Sequence, residues 1–218
     1  MQALLKAPRA PLIFSLLFIV GLIIFGLAVG VVMQPAAQAV GADRLSELVC
    51  LQLAFTPERA AAVVLSFPAE ARAAMGSLLI PGDFMLAWGY GLQLTGLLGL
   101  LVLRLPAQWQ RIGALAIWIP LLASLFDCIE NVFLYAIVTR LADDPTTVVP
   151  AILTIMASSV ATLKWIALSV LTPAYGFTAI CKGVMTDRRV TSWLVYLLLA
   201  ATLAGMIIKP IQDIPACF

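Results

Sequence analysis

Apolar residues run through this chain in five long stretches, at about 11–33, 82–103, 112–139, 150–180 and 191–208. Each comes close to or exceeds the roughly 20 residues that an α-helix needs to cross a hydrocarbon core. The pattern predicts an all-α fold, a polytopic transmembrane helix bundle of about five spans. It divides into a tail and first helix (1–33), an outer amphipathic helical segment (34–81), a four-helix core (82–208) and a short tail (209–218). The first stretch follows Lys6, Pro8 and Arg9, and its apolar run is longer than the roughly 7–15 residues of a signal-peptide core. A retained helix is therefore expected, although Ala36, Ala37 and Ala39 also fit a small-residue cleavage site.

The segment between the first two stretches has a different texture. Asp43 is placed to cap a helix running to about residue 54. Thr56-Pro57-Glu58 sets an N-cap, a proline at the first helical position and an acid in the first turn, predicting a helix to about Ser66. Phe67-Pro68 ends it, and Glu70–Leu79 resumes before Pro81-Gly82. Aliphatic positions alternate with Arg and Glu, so these helices are expected on the membrane surface or across the bundle's outer mouth. A hydrophobic lid and a plain amphipathic linker both fit.

Composition then removes whole classes. The chain is 63% hydrophobic and 11% charged, with a mean hydropathy of +1.07, where a soluble domain carries about 25% charged residues. A water-soluble fold is excluded. Net charge is +2, with neither a long basic run nor aromatics interleaved with Lys and Arg, so no nucleic-acid partner is expected. Histidine is absent, which removes the commonest general base and metal ligand; no cofactor is expected. Cys50, Cys128, Cys181 and Cys217 are far apart with no CxxC pair, which argues against a thiol–disulfide relay. They read as single apolar thiols, although Cys50 and Cys217 fall on the same outer side.

Charge also suggests orientation. With the N-terminus inside, the cytoplasmic segments hold Lys6, Arg9, Arg104, Arg111, Lys182, Arg188 and Arg189 against Asp187. The outer segments hold Arg44, Arg59, Arg72, Arg140 and Lys209 against seven acids, among them Glu47, Asp143 and Asp144. The short loops at 104–111 and 182–190 are basic and the one at 140–149 is acidic. Short loops weigh most in the positive-inside rule, so a bacterial inner-membrane protein with its N-terminus inside and C-terminus outside is expected.

Polar residues inside the third and fourth stretches are the candidate chemistry. Ionisable groups within a span cost roughly 2.5–3.5 kcal/mol each, so they are kept for pairing, a wet cavity or a reaction. Asp127, Glu130 and Asn131 follow the i, i+3, i+4 rule and share one helix face. Lys164 falls at the matching depth of the next, antiparallel span, which makes an Asp127–Lys164 or Glu130–Lys164 ion pair the natural expectation. Two acids then face one base, so one carboxyl stays neutral unless another cation enters. Such a group suits proton carriage or ligand binding.

Ser158, Ser159 and Thr162 are candidates to extend this lining, and Phe126, Phe133, Tyr135 and Trp165 to wall it. Asp83, after Pro81-Gly82, reads as the N-cap of the second span. If that span instead begins near Met75 and kinks at Pro81, Asp83 lies deeper and joins the cluster, with Tyr90 on the same face and Gln93 nearby. Gly89, Gly91, Gly96 and Gly99 allow a close helix approach.

The order Thr56-Pro-Glu-Arg-Ala, Pro81-Gly-Asp-Phe, Phe126-Asp-Cys-Ile-Glu-Asn131 and Leu163-Lys-Trp165 resembles a group of small bacterial integral membrane proteins to which no activity is assigned. The resemblance covers about residues 45–180 and implies one unit with a polar site. In architecture alone the chain is loosely similar to sterol isomerase and related five-span sterol-binding proteins, which hold acidic and amide residues in a pocket within the bilayer. Their motifs find no residue-by-residue match here, and this chain has no histidine.

Three functions follow as expectations. The first is a pocket for a lipid or hydrophobic small molecule, with Asp127, Glu130, Asn131, Lys164, Asp83 and Tyr90 as anchoring or proton-carrying groups. The second is a proton-coupled transporter; five spans do not divide into the equal halves many transporters have, so a second copy of the chain would be needed. The third is an accessory subunit of a larger membrane complex, with a purely structural cluster.

Overall fold

The computed structural model describes residues 5, 7–41, 44–186, 190–213 and 217, with side chains except at 185, 186, 190–192, 194 and 206–213. Among these residues the chain is helical, without strands. In order come α1 (Ala10–Val32), α2 (Gln34–Val40), α3 (Glu47–Gln52), α4 (Pro57–Ser66), α5 (Ala69–Val102), α6 (Ala107–Asp143), α7 (Ala151–Val184) and α8 (Val190–Asp213). Helices α1, α5, α6 and α7 are long and apolar enough to cross a membrane. The expected fifth stretch is helical, but its apolar run is shorter, Val195–Gly205. Asp43, Lys6 and the 187–189 charges lie outside the described residues.

Local chemistry explains the short helices α3 and α4. Thr56 caps α4 by accepting a hydrogen bond from the Arg59 amide (3.3 Å), with Pro57 at the first position. Helix α3 stops at Gln52, earlier than expected. Phe55 takes a left-handed φ of 55°, and its backbone is pinned to α7: its N–H donates to Ser158 Oγ (2.9 Å) and its carbonyl accepts from Thr154 Oγ1 (3.4 Å). Arg44 forks onto both oxygens of Glu47 (2.7 and 2.8 Å) and stacks on Phe67, 3.8 Å from the ring centroid. That fork holds the Glu47 carboxyl below the usual carboxylate range.

The second span departs most from expectation. It does not begin at residue 82; α5 starts at Ala69 and bends at Ile80, whose extended backbone (φ −133°, ψ 114°) precedes Pro81. Proline lacks the N–H a helix needs and disfavours helical geometry in the residue before it. Residues Ile166–Leu171 of α7 are wound as a wider π-helical turn, a feature frequent at functional sites.

Helix α1 lies along α5. A Cβ on Gly89 would come 2.6 Å from the Phe25 amide, and Gly21 and Gly96 are as tightly opposed to backbone of the other helix. Gly91 faces α6, where Ser124 donates to Ala87 O (2.7 Å). One apolar core joins the outer helices to α6 through Leu51, Phe67, Met75, Leu134 and Leu141. A second joins α1, α5 and α8 through Phe14, Leu98, Leu101, Leu199 and Leu203. Leu51, Leu79 and Leu134 of the first core also border the cavity described below.

The thiols correct one expectation. Cys50 and Cys217 are not single apolar thiols; they form a disulfide between α3 and the chain beyond α8. Spacing along a sequence carries no information on such a pair, because cysteines 167 positions apart are brought together only by the way the chain folds back. Arg59 reinforces the join by donating to Cys217 O (2.8 Å). Cys128 and Cys181 are free.

Candidate functional site

Three helices supply the polar groups. One face of α6 presents Asp127, Glu130 and Asn131, α7 presents Lys164, and α5 presents Asp83 and Tyr90. Asp127, Glu130, Asn131 and Lys164 are all buried, none more than 4% exposed. Lys164 Nζ sits 2.9 Å from Asp127 Oδ1 and 2.6 Å from Glu130 Oε2. The two ion pairs anticipated as alternatives therefore exist together. Tyr90 Oη donates to the other oxygen of Asp127 at 2.8 Å, so that carboxylate is held on both sides.

Asp83 does not act as a helix cap. Its side chain makes no capping hydrogen bond, and its Oδ2 accepts from Asn131 Nδ2 at 3.0 Å. Just past the bend at Ile80-Pro81, its side chain reaches Asn131 of α6 instead of the helix's own first-turn amides. Three carboxyls thus surround one ammonium. A buried charge without a counter-charge costs several kcal/mol, so protons or a ligand must help balance the site.

Several buried polar atoms have no hydrogen-bonding partner among the described residues. They include Glu130 Oε1, Asn131 Oδ1, Gln52 Oε1 and the indole N–H of Trp165. The Trp165 ring also sits beside Lys164, its centroid 5.1 Å from Nζ.

The cluster borders a cavity of about 660 Å³, within the range of about 300–1,000 Å³ common for small-molecule sites. Its walls come from α1 (Leu22, Phe25), α5 (Leu86, Tyr90, Gln93), α6 (Asp127, Leu134), α7 (Lys164, Trp165, Leu168) and α8 (Thr202, Gly205). Helix α3 and the turn before it roof it with Leu45, Ser46, Leu48 and Gln52. Apolar surface makes up most of the wall; Asp83, Asp127 and Lys164 are its charged groups, and Tyr90, Trp165, Ser46, Gln52, Gln93 and Thr202 are its neutral polar side chains.

Some expected lining residues lie elsewhere. Ser158 receives the Phe55 amide, Thr162 bonds back to Ser158 O (2.7 Å), and neither they nor Ser159 border the cavity. Phe133 packs in the outer core, Tyr135 is exposed, and Phe126 is also outside the wall. Sequence reasoning missed Gln52, Met33 and Gly205, for which nothing local signals a wall position. Among the described residues, no group of carboxylates and thiols is arranged to hold a metal ion. Comparison of the chain with known protein families, curated proteins and solved structures finds no match to any of them.

Proposed function

We propose that this chain is a five-span protein of the bacterial inner membrane whose cavity binds a lipid or other hydrophobic small molecule. The observation that carries the reading is the cavity itself, apolar over most of its wall and bordered by a buried acid–lysine cluster. Binding sites of this composition bury hydrocarbon and fix orientation with a few polar groups. Asp127 and Lys164 then serve as the anchor, with Tyr90 and Asp83 beside them.

The disulfide supports the fifth span and the orientation. Cys50 follows α1, and Cys217 follows α8. Both must lie on one side of the membrane, so an even number of crossings separates them. Helices α5, α6 and α7 supply three, and α8 supplies the fourth. Disulfides persist in oxidising compartments, which puts that side outside, in agreement with the basic 104–111 loop within. An impermeant maleimide added to intact cells is expected to label Cys50 and Cys217 only after reduction. Labelling of Cys50 without reductant, or of neither thiol after it, contradicts this arrangement.

Native mass spectrometry of the gently purified protein tests the binding reading. Wild type is expected to carry a bound lipid or small molecule that Asp127→Ala and Lys164→Ala lose. Gly205→Leu leaves the acid–lysine cluster intact but adds a side chain at a wall position where, among the described residues, a Cβ meets nothing within 4 Å. It too is expected to lose the ligand. Retention of ligand in Gly205→Leu at the wild-type level removes the cavity as the site. An empty wild type whose cluster variants shed a partner protein favours the accessory-subunit reading instead.

A further inference from the structure

We infer that the cavity takes an amphiphile whose head bears a protonated amine, seated against Asp83. The inference rests on the binding reading above and adds the chemical class of the ligand. Lys164 is already engaged by two acids, Asp127 and Glu130, at 2.9 and 2.6 Å. Asp83 lies within electrostatic reach of both Asp127 and Lys164, yet its hydrogen-bonding partner is the neutral amide of Asn131. It also borders the cavity, so an entering molecule meets a carboxyl that, among the described residues, no cation contacts within 4 Å.

The three classes of head group fare differently there. An anionic head adds a negative charge to a wall that already holds more carboxyls than ammonium groups. A neutral hydroxyl leaves the charge imbalance as it was. A protonated amine supplies the missing positive charge and N–H donors for Asp83, and the aromatic side chains of Tyr90 and Trp165 line the same cavity. The Gln52 carbonyl oxygen, unpartnered in the roof, accepts a further donor. The hydrocarbon then fills the aliphatic part beside Leu22, Phe25, Leu48 and Leu86.

The test compares three probes of equal chain length, dodecylamine, dodecanol and dodecanoate, binding to the full chain in a neutral detergent at pH 7. Dodecylamine is expected to bind about 10- to 100-fold more tightly than dodecanol, the weight of a charge-assisted hydrogen bond. Dodecanoate is expected to be the weakest. In Asp83→Asn the preference for the amine shrinks to within about threefold, the low end of what a single neutral hydrogen bond contributes. The wild-type comparison needs no variant, so a failure of Asp83→Asn to fold leaves the result decided.

Dodecanol binding as tightly as dodecylamine, or dodecanoate more tightly, overturns the amine class while leaving the cavity reading intact. If no probe binds wild type more tightly than Gly205→Leu, both readings fall together. An amine preference that persists undiminished in a folded Asp83→Asn removes Asp83 as its cause.

Discussion

Replacing Lys164 with methionine is expected to lower stability by about 3–5 kcal/mol, the usual cost of removing one partner from a buried ion pair. The ammonium is 3% exposed and touches two carboxyls. Without it, Asp127 and Glu130 stand side by side with no counter-charge, and Tyr90 offers only a neutral donor to one of them. Asp127→Asn is expected to lose less, because Lys164 keeps Glu130 at 2.6 Å. The double variant Lys164→Met/Glu130→Gln should recover part of the loss by removing one of the stranded charges. Unfolding in mixed micelles of increasing denaturing detergent measures all three. A Lys164→Met protein within about 1 kcal/mol of wild type, the scale of an ordinary substitution, would show that this network does not form.

How far the site could be read from the sequence follows from which contacts are local. Asp127, Glu130 and Asn131 share a face because of helical periodicity, and depth matching then brings in Lys164 from the next helix. Those two arguments needed no tertiary information, and the structure joins the residues they named. Asp83 depended on something less local, the point at which α5 bends. Pro81 marks a break, but only packing decides whether the helix starts there or merely kinks. The N-terminal limb through Met75 is held by the outer core, and this makes it a kink. Ser158 shows the opposite case: its helical position was clear, but its bond to the Phe55 amide comes from a loop about a hundred residues away. The Cys50–Cys217 join and the Gly205 wall position are likewise products of how the chain folds back, which periodicity cannot register.

The second large effect is expected at the seam between α1 and α5. Gly96→Val should destabilise the protein by the upper end of the about 1–3 kcal/mol that overpacking costs. A Cβ at Gly96 falls 2.5 Å from the Phe18 amide nitrogen and 2.6 Å from the Phe14 carbonyl oxygen. Both are backbone atoms, so no rotamer change relieves the contact and the helices must part. At Gly99 the obstructing atoms belong to the Phe14 ring, which can turn, so Gly99→Ala should cost less. At Gly26 nothing lies within 4 Å, and Gly26→Ala should stay within about 0.5 kcal/mol of wild type. Most side chains on α1 are not buried, with Leu12, Leu16, Ile19 and Ile23 about half exposed, so its position depends on this one glycine seam. Leu22 and Phe25 of the same helix wall the cavity. Parting α1 from α5 at Gly96 therefore also moves that wall, and ligand retention should fall in the same order as stability. Equal stability in the three variants would mean that α1 is not held against α5 by backbone contact, and the cavity would lose one of its sides.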